Sequence, residues 1–229
     1  MSNGILIRQN EDNSIAMLAA QRQLYSDAKK LDKLDIALAV WIPFVLAVVL
    51  LFVPENEGVQ YVSYILSVVS MIFSFIVDKF VENKKNLAAF IQQKFDVYVY
   101  KMPWNEKKFG KDKNVNHEIV NYSKKIMDNP KEKEKLNNWY TPAFDDRNLN
   151  DGILLCQREN FWWDVELRKK FRLISLVLII LLIAFVFIMG LCKNERVAEL
   201  LWRLVFVIPM LEWLLSTVKQ LNKDIMAIT

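Results

Sequence analysis

Four apolar segments constrain this chain more than any other feature of its sequence. They are Ile36–Val53, Gln60–Val77, Leu173–Cys192 and Val197–Val218. Each is about 18 to 22 residues long, and at a rise of about 1.5 Å per residue such a helix crosses a hydrocarbon core of roughly 30 Å. The first three contain no Asp, Glu, Lys or Arg. The sequence therefore predicts an all-α integral membrane protein with two transmembrane helical hairpins, residues 36–77 and 173–218.

The basic residues are distributed unevenly around these segments. Of the 30 Lys and Arg residues, 20 lie in the central segment Asp78–Arg172 and five precede Ile36. The connection Pro54–Val59 has none, and Lys193–Arg196 has two. Because Lys and Arg are enriched in cytoplasmic loops, we expect a multi-pass protein whose N-terminus, central segment and C-terminus all lie in the cytoplasm.

The parts outside the membrane are predicted to be mainly helical. Residues 1–35 are expected to form a cytoplasmic amphipathic helix that begins at a capping Ser14. Its apolar face would carry Met17, Ala20, Leu24, Ala28 and Leu31. Residues 78–172 are expected to form a helical cytoplasmic domain whose ends continue the membrane helices as stalks, because Pro and Gly are missing there. Residues 219–229 would be a cytoplasmic tail.

Two local patterns stand out inside the central segment. The segment Asn116–Asp128 has the composition of a helix, whereas Asp96–Tyr100 alternates like a strand, although a lone strand of five residues is marginal. Cys156 falls in the cytoplasmic part and Cys192 at the outer end of the third span, so no disulfide is expected.

The sequence lacks the residue patterns of common catalytic and metal sites. His117 is the single histidine, with no second metal-binding residue at suitable spacing. There is no CxxC, Walker loop, GxSxG or GxGxxG motif. Asp145 and Asp146 lie in a Pro- and Asn-rich loop, where turn formation explains them. We therefore predict no catalytic residue, no metal and no enzymatic activity.

A ribbon of serines follows one face of the second apolar segment. It consists of Ser63, Ser67, Ser70 and Ser74, spaced three or four residues apart. Small residues at this spacing let membrane helices pack closely, which is the more frequent explanation. The alternative is a face that lines water when a pore opens. The two can coexist, since one surface could be packed in a closed state and wetted in an open one.

The fourth apolar segment carries the intramembrane charges Glu199, Arg203 and Glu212. Glu199 and Arg203 are four residues apart and can pair with each other, whereas Glu212 needs another partner. Charges at that depth are costly, so Arg203 and Glu212 should face protein or water rather than lipid.

Tryptophan and arginine side chains of the soluble part are candidates for ligand binding. They are Trp104, Trp139, Tyr140, Trp163, Arg158 and Arg168. Indoles can stack on nucleobases and guanidinium groups can hold phosphates. Tryptophans near a membrane are also interfacial anchors, although Trp163 lies ten residues before the third span. Core packing of Trp163 with Leu167 and Phe171 is the simplest explanation of that spacing.

Several short blocks of sequence resemble a known family of membrane effectors. They are Ile7-Arg8-Gln9-Asn10, the run from Leu18 to Tyr25, Lys94-Phe95-Asp96, Met102-Pro103-Trp104-Asn105, Asn138-Trp139-Tyr140, Cys156-Gln157-Arg158-Glu159-Asn160, Trp162-Trp163-Asp164 and Leu167-Arg168. Their order and the hairpin–domain–hairpin layout resemble the SMODS-associating four-transmembrane effectors. The resemblance implies a bacterial anti-phage effector of the CBASS type, encoded beside a nucleotidyltransferase that makes a cyclic nucleotide.

The resemblance also implies how such a protein would act. The cyclic di- or oligonucleotide would bind the central segment as a sensor domain, and the protein would permeabilise the inner membrane and cause abortive infection. Because four packed helices leave no lumen, a pore requires a homo-oligomer or a large rearrangement. Its partners would be the lipid bilayer and the cyclic nucleotide, with no cofactor and no nucleic acid polymer.

Two other functions stay open. A membrane-anchored scaffold could use its basic cytoplasmic domain to bind a protein partner or anionic lipid. A small transporter is the weaker alternative, because only one membrane segment carries charges and no span is visibly broken.

Overall fold

The structure is a computed structural model that describes residues 2–42, 44–46, 57–192 and 197–228. Every regular element in these residues is helical. The α-helices are α1 Ile5–Gln9, α2 Asp12–Ile36, α3 Glu57–Tyr100, α4 Glu106–Phe109, α5 Asn116–Met127, α6 Pro130–Glu134, α7 Leu149–Cys192 and α8 Val197–Ile228. A π-helical stretch, Ala37–Trp41, follows α2, and a 3₁₀ turn, Pro142–Asp146, precedes α7. The all-α prediction is confirmed for the described residues.

The predicted membrane spans are described to different extents. Residues 43 and 47–56, which include the end of the first predicted span and half of the connection that follows it, lie outside the described residues, as do residues 193–196. Among the described residues one helical stretch, Tyr64–Tyr100, is long and apolar enough to cross a membrane by length and composition. The arrangement of two membrane hairpins, with both termini in the cytoplasm, therefore stays a prediction.

The structure resolves one ambiguous sequence pattern and corrects one predicted helix start. The segment Asp96–Tyr100 forms the last residues of α3 and not a strand. A helix satisfies its own backbone hydrogen bonds, whereas an isolated strand has no neighbour to pair with. The helix α2 begins at Asp12, and Ser14 lies inside its first turn, where its hydroxyl donates to the carbonyl of Arg8 at 2.6 Å. The helix predicted at Asn116–Asp128 is confirmed as α5.

The chain divides into two compact units. Unit 1 comprises Met1–Lys33 and Ile76–Asn160, and unit 2 comprises Leu34–Phe75 and Phe161–Thr229. The two long helices α3 and α7 are each continuous over 44 residues and contribute residues to both units.

The core of unit 1 forms between α2 and the second half of α3. The predicted apolar face of α2 is buried at Met17, Ala20, Leu24 and Ala28, with Leu31 half-buried. On α3 the residues that share this core recur every three or four positions, which keeps them on one helix face. They are Ala88, Ile91, Phe95 and Val99.

The N-terminal residues are held to the segment 138–145 by side-chain hydrogen bonds to backbone groups and to other side chains. The Gln9 amide donates to the carbonyl of Tyr140 at 3.1 Å and accepts from its N–H at 2.7 Å. Asn10 forms a similar pair of bonds with Asn138, both at 2.9 Å. Asp145 accepts hydrogen bonds from the Ser2 hydroxyl and from the N–H of Leu6. These bonds fix α1 against the core of unit 1.

Polar contacts join the helices of unit 2. The hydroxyl of Ser74 on α3 donates to Asp35 on α2. On α7, Arg168 forms ion pairs with Asp164 and with Asp224 of α8. Most apolar side chains of α3 in unit 2 are exposed, and so are most of those on α7 between Leu173 and Ile188.

Candidate functional site

Unit 1 contains an open cleft of about 890 Å³. It is lined by N-terminal residues up to Glu11, by the last turns of α3, by the loop that follows α3 and by Asp112 in the loop between α4 and α5. The charged residues of the lining are Arg8, Glu11, Lys94, Lys101 and Asp112, and its aromatic residues are Tyr98 and Trp104. Three basic groups against two acidic groups leave the cleft with a formal charge of +1.

Lys101 occupies a position where glycine is usual. Helix α3 ends in a Schellman turn, in which the N–H of Met102 bonds the carbonyl of Val97 at 3.0 Å and that of Lys101 bonds Tyr98 at 3.2 Å. This turn requires a left-handed backbone, and Lys101 has φ of 54°. The side chain is exposed and forms no ion pair or hydrogen bond with any described residue. A free ammonium group therefore lies at the cleft.

Lys94 is held by an acidic group and by aromatic rings. Its ammonium forms an ion pair with Asp112 and donates to the carbonyl of Lys113 at 3.1 Å. It also lies 5.7 Å from the ring centroids of both Phe90 and Trp104, within the range of cation–π attraction.

The indole of Trp104 is fixed by its own loop. Its ring N–H donates to the carbonyl of Gly110 at 2.8 Å, and the ring contacts Phe90 and Phe109. Gly110 has φ of 74° and ψ of −173°, a conformation that is almost exclusive to glycine. The turn at Gly110 thus sets the position of a half-buried aromatic ring in the cleft.

Arg8 is a buried cation that is satisfied by carbonyl groups rather than by a carboxylate. Its Nε donates to the carbonyl of Val99 at 2.7 Å, and both terminal nitrogens donate to that of Asn3 at 3.3 Å. A Cβ at Gly4 would lie 2.5 Å from this guanidinium, so the glycine makes room for it. Arg8 forms no ion pair with a described residue.

Glu11 and Tyr98 form the other polar contact of the cleft. The hydroxyl of Tyr98 donates to Glu11, and this hydrogen bond is the main reason that the pKa of Tyr98 is raised; the charge of Arg8 opposes the effect. The cleft therefore combines free and paired cations with a fixed indole. Such an arrangement suits an anion with a flat aromatic group.

A polar cluster also lies in the core of unit 1. The hydroxyl of Tyr140 donates to Asp96 at 2.6 Å, and the buried hydroxyl of Tyr100 has no hydrogen-bond partner among the described residues. Burial raises the pKa of Asp96 to about 6, although the Tyr140 hydrogen bond lowers it. Burial also raises the pKa of the fully buried Cys156 thiol to about 12, with smaller contributions from the charges of Glu159 and Asp96.

Of the six predicted ligand-binding residues, Trp104 alone lines the cleft of unit 1. Tyr140 is buried in the core, and Trp139 and Arg158 are exposed elsewhere in unit 1. Arg168 and Trp163 belong to unit 2, and the guanidinium of Arg168 is occupied by two aspartates.

The prediction that Trp163, Leu167 and Phe171 pack into a core is wrong for the single chain. The side chains of Trp163, Leu167 and Phe171 are 59%, 66% and 50% exposed. The ring of Trp163 contacts Trp162 edge-on, with centroids 4.9 Å apart. The spacing of four residues placed these groups on one face correctly, but that face does not turn toward the interior of unit 2.

The predicted membrane residues are only partly described. Ser70 is 4% exposed and Ser74 is half-buried, so both turn away from the exposed side of α3. Burial of Ser70 agrees with helix packing in a single chain, and pore lining in an assembly stays a prediction. Glu212 is exposed on α8. The side chains of Ser63, Ser67, Glu199 and Arg203 lie outside the described part.

Sequence reasoning missed Arg8, Lys94 and Lys101 as cleft residues. A usable signal existed for two of them, since Arg8 and Lys94 belong to the blocks that carry the family resemblance. The blocks around Trp104 and around Arg8 also meet at the cleft. Lys101 gave no such signal, because nothing in the sequence marks its left-handed backbone. Among the described residues, no group of three His, Cys, Asp or Glu side chains could hold a metal ion.

Comparisons with known proteins match most of the chain. The family model described as the SMODS-associating 4TM effector domain matches residues 3–229. A protein of Bacillus cereus (strain VD146), described as a probable CBASS effector molecule, is 26% identical over 204 residues, which cover 86% of this chain and 68% of that protein. No solved structure matches the chain significantly.

Proposed function

This chain belongs to the SMODS-associating 4TM effector domain family, and on that premise we propose that it is an effector of bacterial antiphage defence. In this proposal a cyclic di- or oligonucleotide binds the protein in the cytoplasm. The protein then acts as a homo-oligomer that permeabilises the inner membrane and causes abortive infection. The description of the B. cereus relative as a probable CBASS effector supports the same assignment.

The division of the chain into two chemically different units carries this proposal. Unit 1 has a cleft with cationic and aromatic side chains, which suits a nucleotide. Unit 2 exposes apolar side chains along α3 and α7 over an extent that a water-soluble monomer rarely shows. Lipid or further copies of the chain would cover these side chains.

The continuity of α3 and α7 supports a coupling between ligand binding and the membrane. Each helix contributes residues to both units without a break. A ligand that binds unit 1 can change the membrane part only if it has different affinities for two conformations of the protein. We expect the two long helices to carry that difference.

Leakage from liposomes tests the proposal directly. The full chain is reconstituted into dye-loaded vesicles and exposed to a panel of cyclic di- and trinucleotides, with the matching linear nucleotides as controls. We expect one cyclic nucleotide to bind in calorimetry and to release dye, with an increase in oligomer size. A chain that binds no cyclic nucleotide would refute the proposal, and one that binds anionic lipid without causing leakage would support the scaffold function instead.

A further inference from the structure

We propose that the unit 1 cleft is the site that binds the cyclic nucleotide. Lys101, Lys94 and Arg8 hold its phosphates, and Trp104 stacks on one of its bases. The class of ligand rests on the function proposed above. We further propose that Asp112 occupies the place of a ligand phosphate at Lys94 and leaves it when the nucleotide binds.

The size of the cleft fits such a ligand. Its volume of about 890 Å³ lies within the roughly 300–1,000 Å³ that is usual for small-molecule sites. The cleft is open to solvent, so a ligand can enter without movement of the helical core.

The unpaired charge of the cleft calls for an anion. Lys101 has no partner among the described residues, and Arg8 bonds only to backbone carbonyls. The guanidinium of Arg8 uses three of its five N–H groups in these bonds, so two remain for a phosphate oxygen. Hydrogen bonds from such cations to phosphate are among the stronger polar contacts in proteins.

The fixed indole favours a nucleotide over a simple phosphate. Base–aromatic stacking contributes more to affinity when the orientation of the ring is already set, because ordering the ring on binding costs free energy. The bond from the Trp104 ring to the carbonyl of Gly110 sets that orientation in the free protein.

The ion pair between Lys94 and Asp112 fits a reversible contact. The side chain of Asp112 is 52% exposed and lies in the loop between α4 and α5, whereas that of Lys94 is only 21% exposed. Exposed ion pairs contribute little to stability, so exchange of this carboxylate for a ligand phosphate costs little. The phosphate would keep the charge of Lys94 neutralised while the loop that carries Asp112 becomes free to move.

Matched substitutions in the full chain test the site. Lys101→Gly removes the ammonium and suits the left-handed backbone, and Lys94→Met keeps the aliphatic stem against the aromatic rings. Each should weaken binding of the activating cyclic nucleotide about ten- to a hundredfold in calorimetry. The control is Lys111→Ala, which removes an exposed charge from the loop that carries Asp112 but not from the cleft. This variant should bind the nucleotide with unchanged affinity. Asp112→Asn should tighten binding about two- to fivefold.

The outcomes separate this inference from the proposed function. If the parent chain binds none of the cyclic nucleotides, the proposed function fails first. If the parent binds but Lys101→Gly and Lys94→Met variants bind equally well, with unfolding midpoints no lower than that of the parent, the site is overturned and the function stands. Unchanged or weaker binding by Asp112→Asn would refute its role as a competitor.

Anionic lipid headgroups share the phosphodiester chemistry, so the lipid is varied as well. Binding is measured in nanodiscs of phosphatidylcholine alone and in nanodiscs that contain phosphatidylglycerol. We expect the Lys101→Gly and Lys94→Met variants to lose affinity for the cyclic nucleotide in both kinds of nanodisc. Loss of phosphatidylglycerol binding with unaltered nucleotide binding would overturn the assignment.

Discussion

Asp96 should make unit 1 less stable as the pH rises from about 4 to about 6. In the folded chain its pKa is raised from 3.8 to about 6, mainly by burial, so the folded state keeps a proton that the unfolded state releases above pH 4. Below pH 4 both states are protonated and the effect vanishes. Above pH 6 both are ionised, and the folded chain carries the full cost of a partly buried carboxylate.

The size of the effect follows from the two pKa values. Their difference, at about 1.36 kcal/mol per pH unit, corresponds to at most about 3 kcal/mol of lost stability at pH 7.5. The substitution Asp96→Asn keeps an oxygen that can accept from the Tyr140 hydroxyl and removes the charge. We therefore expect this variant to be more stable than the parent by about 1–3 kcal/mol at pH 7.5 and equally stable near pH 4.

Urea unfolding in a mild detergent, followed by tryptophan emission between pH 4 and 8, measures this difference. Subtracting the two curves isolates Asp96, since groups whose pKa is lowered, such as Asp145, contribute equally to both. As a control, Tyr140→Phe removes the hydrogen bond that lowers the pKa of Asp96, so the pH dependence should extend above 6. An Asn variant that is less stable at pH 7.5, or a difference that does not change with pH, would refute the reasoning.

Three further predictions concern the loop after α3 and the topology. Lys101→Gly should stabilise unit 1 by about 0.5–1 kcal/mol in urea, because glycine adopts φ of 54° without strain; a loss of stability would contradict this. Gly110→Ala should cost about 1–3 kcal/mol although no atom lies within 4 Å of the added methyl, and a neutral result would argue against the backbone explanation. Cysteines at Asn56 and Asn194 should react with an impermeant reagent on whole cells and one at Lys111 should not, whereas labelling at Lys111 would reverse the predicted topology.

The helices of unit 1 were largely predictable, because their apolar spacing is set by the helix itself. The face of α2 and the extent of α5 follow from residues that are three and four positions apart. The segment Asp96–Tyr100 was ambiguous, because its side chains alternate like those of a strand over a short stretch in a domain predicted to be helical. Its place at the end of a 44-residue helix depends on burial of Phe95 and Val99 in the core of unit 1, where the ring of Phe95 stacks on that of Tyr140, and no local pattern contains these contacts.

The cleft was much less predictable than the helices. Tryptophans and arginines are easily recognised in the sequence, yet they can bind one ligand together only if they share a surface. Arg168 is neutralised by Asp224, which lies 56 positions away, and Trp163 points out of unit 2. Lys101 owes its position to the end of α3 and to a backbone conformation that its residue type does not suggest. Such long-range and conformational facts become visible only in three dimensions.

The buried thiol of Cys156 has a consequence for how the cell and the experimenter can address this protein. Only the thiolate reacts with oxidants and alkylating agents. With a pKa of about 12, roughly one thiol in 100,000 is ionised at pH 7, against a few per cent for a free cysteine. Reactive oxygen species should therefore not oxidise Cys156 while unit 1 stays folded. A cysteine introduced on the surface would report on its own surroundings without replacement of Cys156.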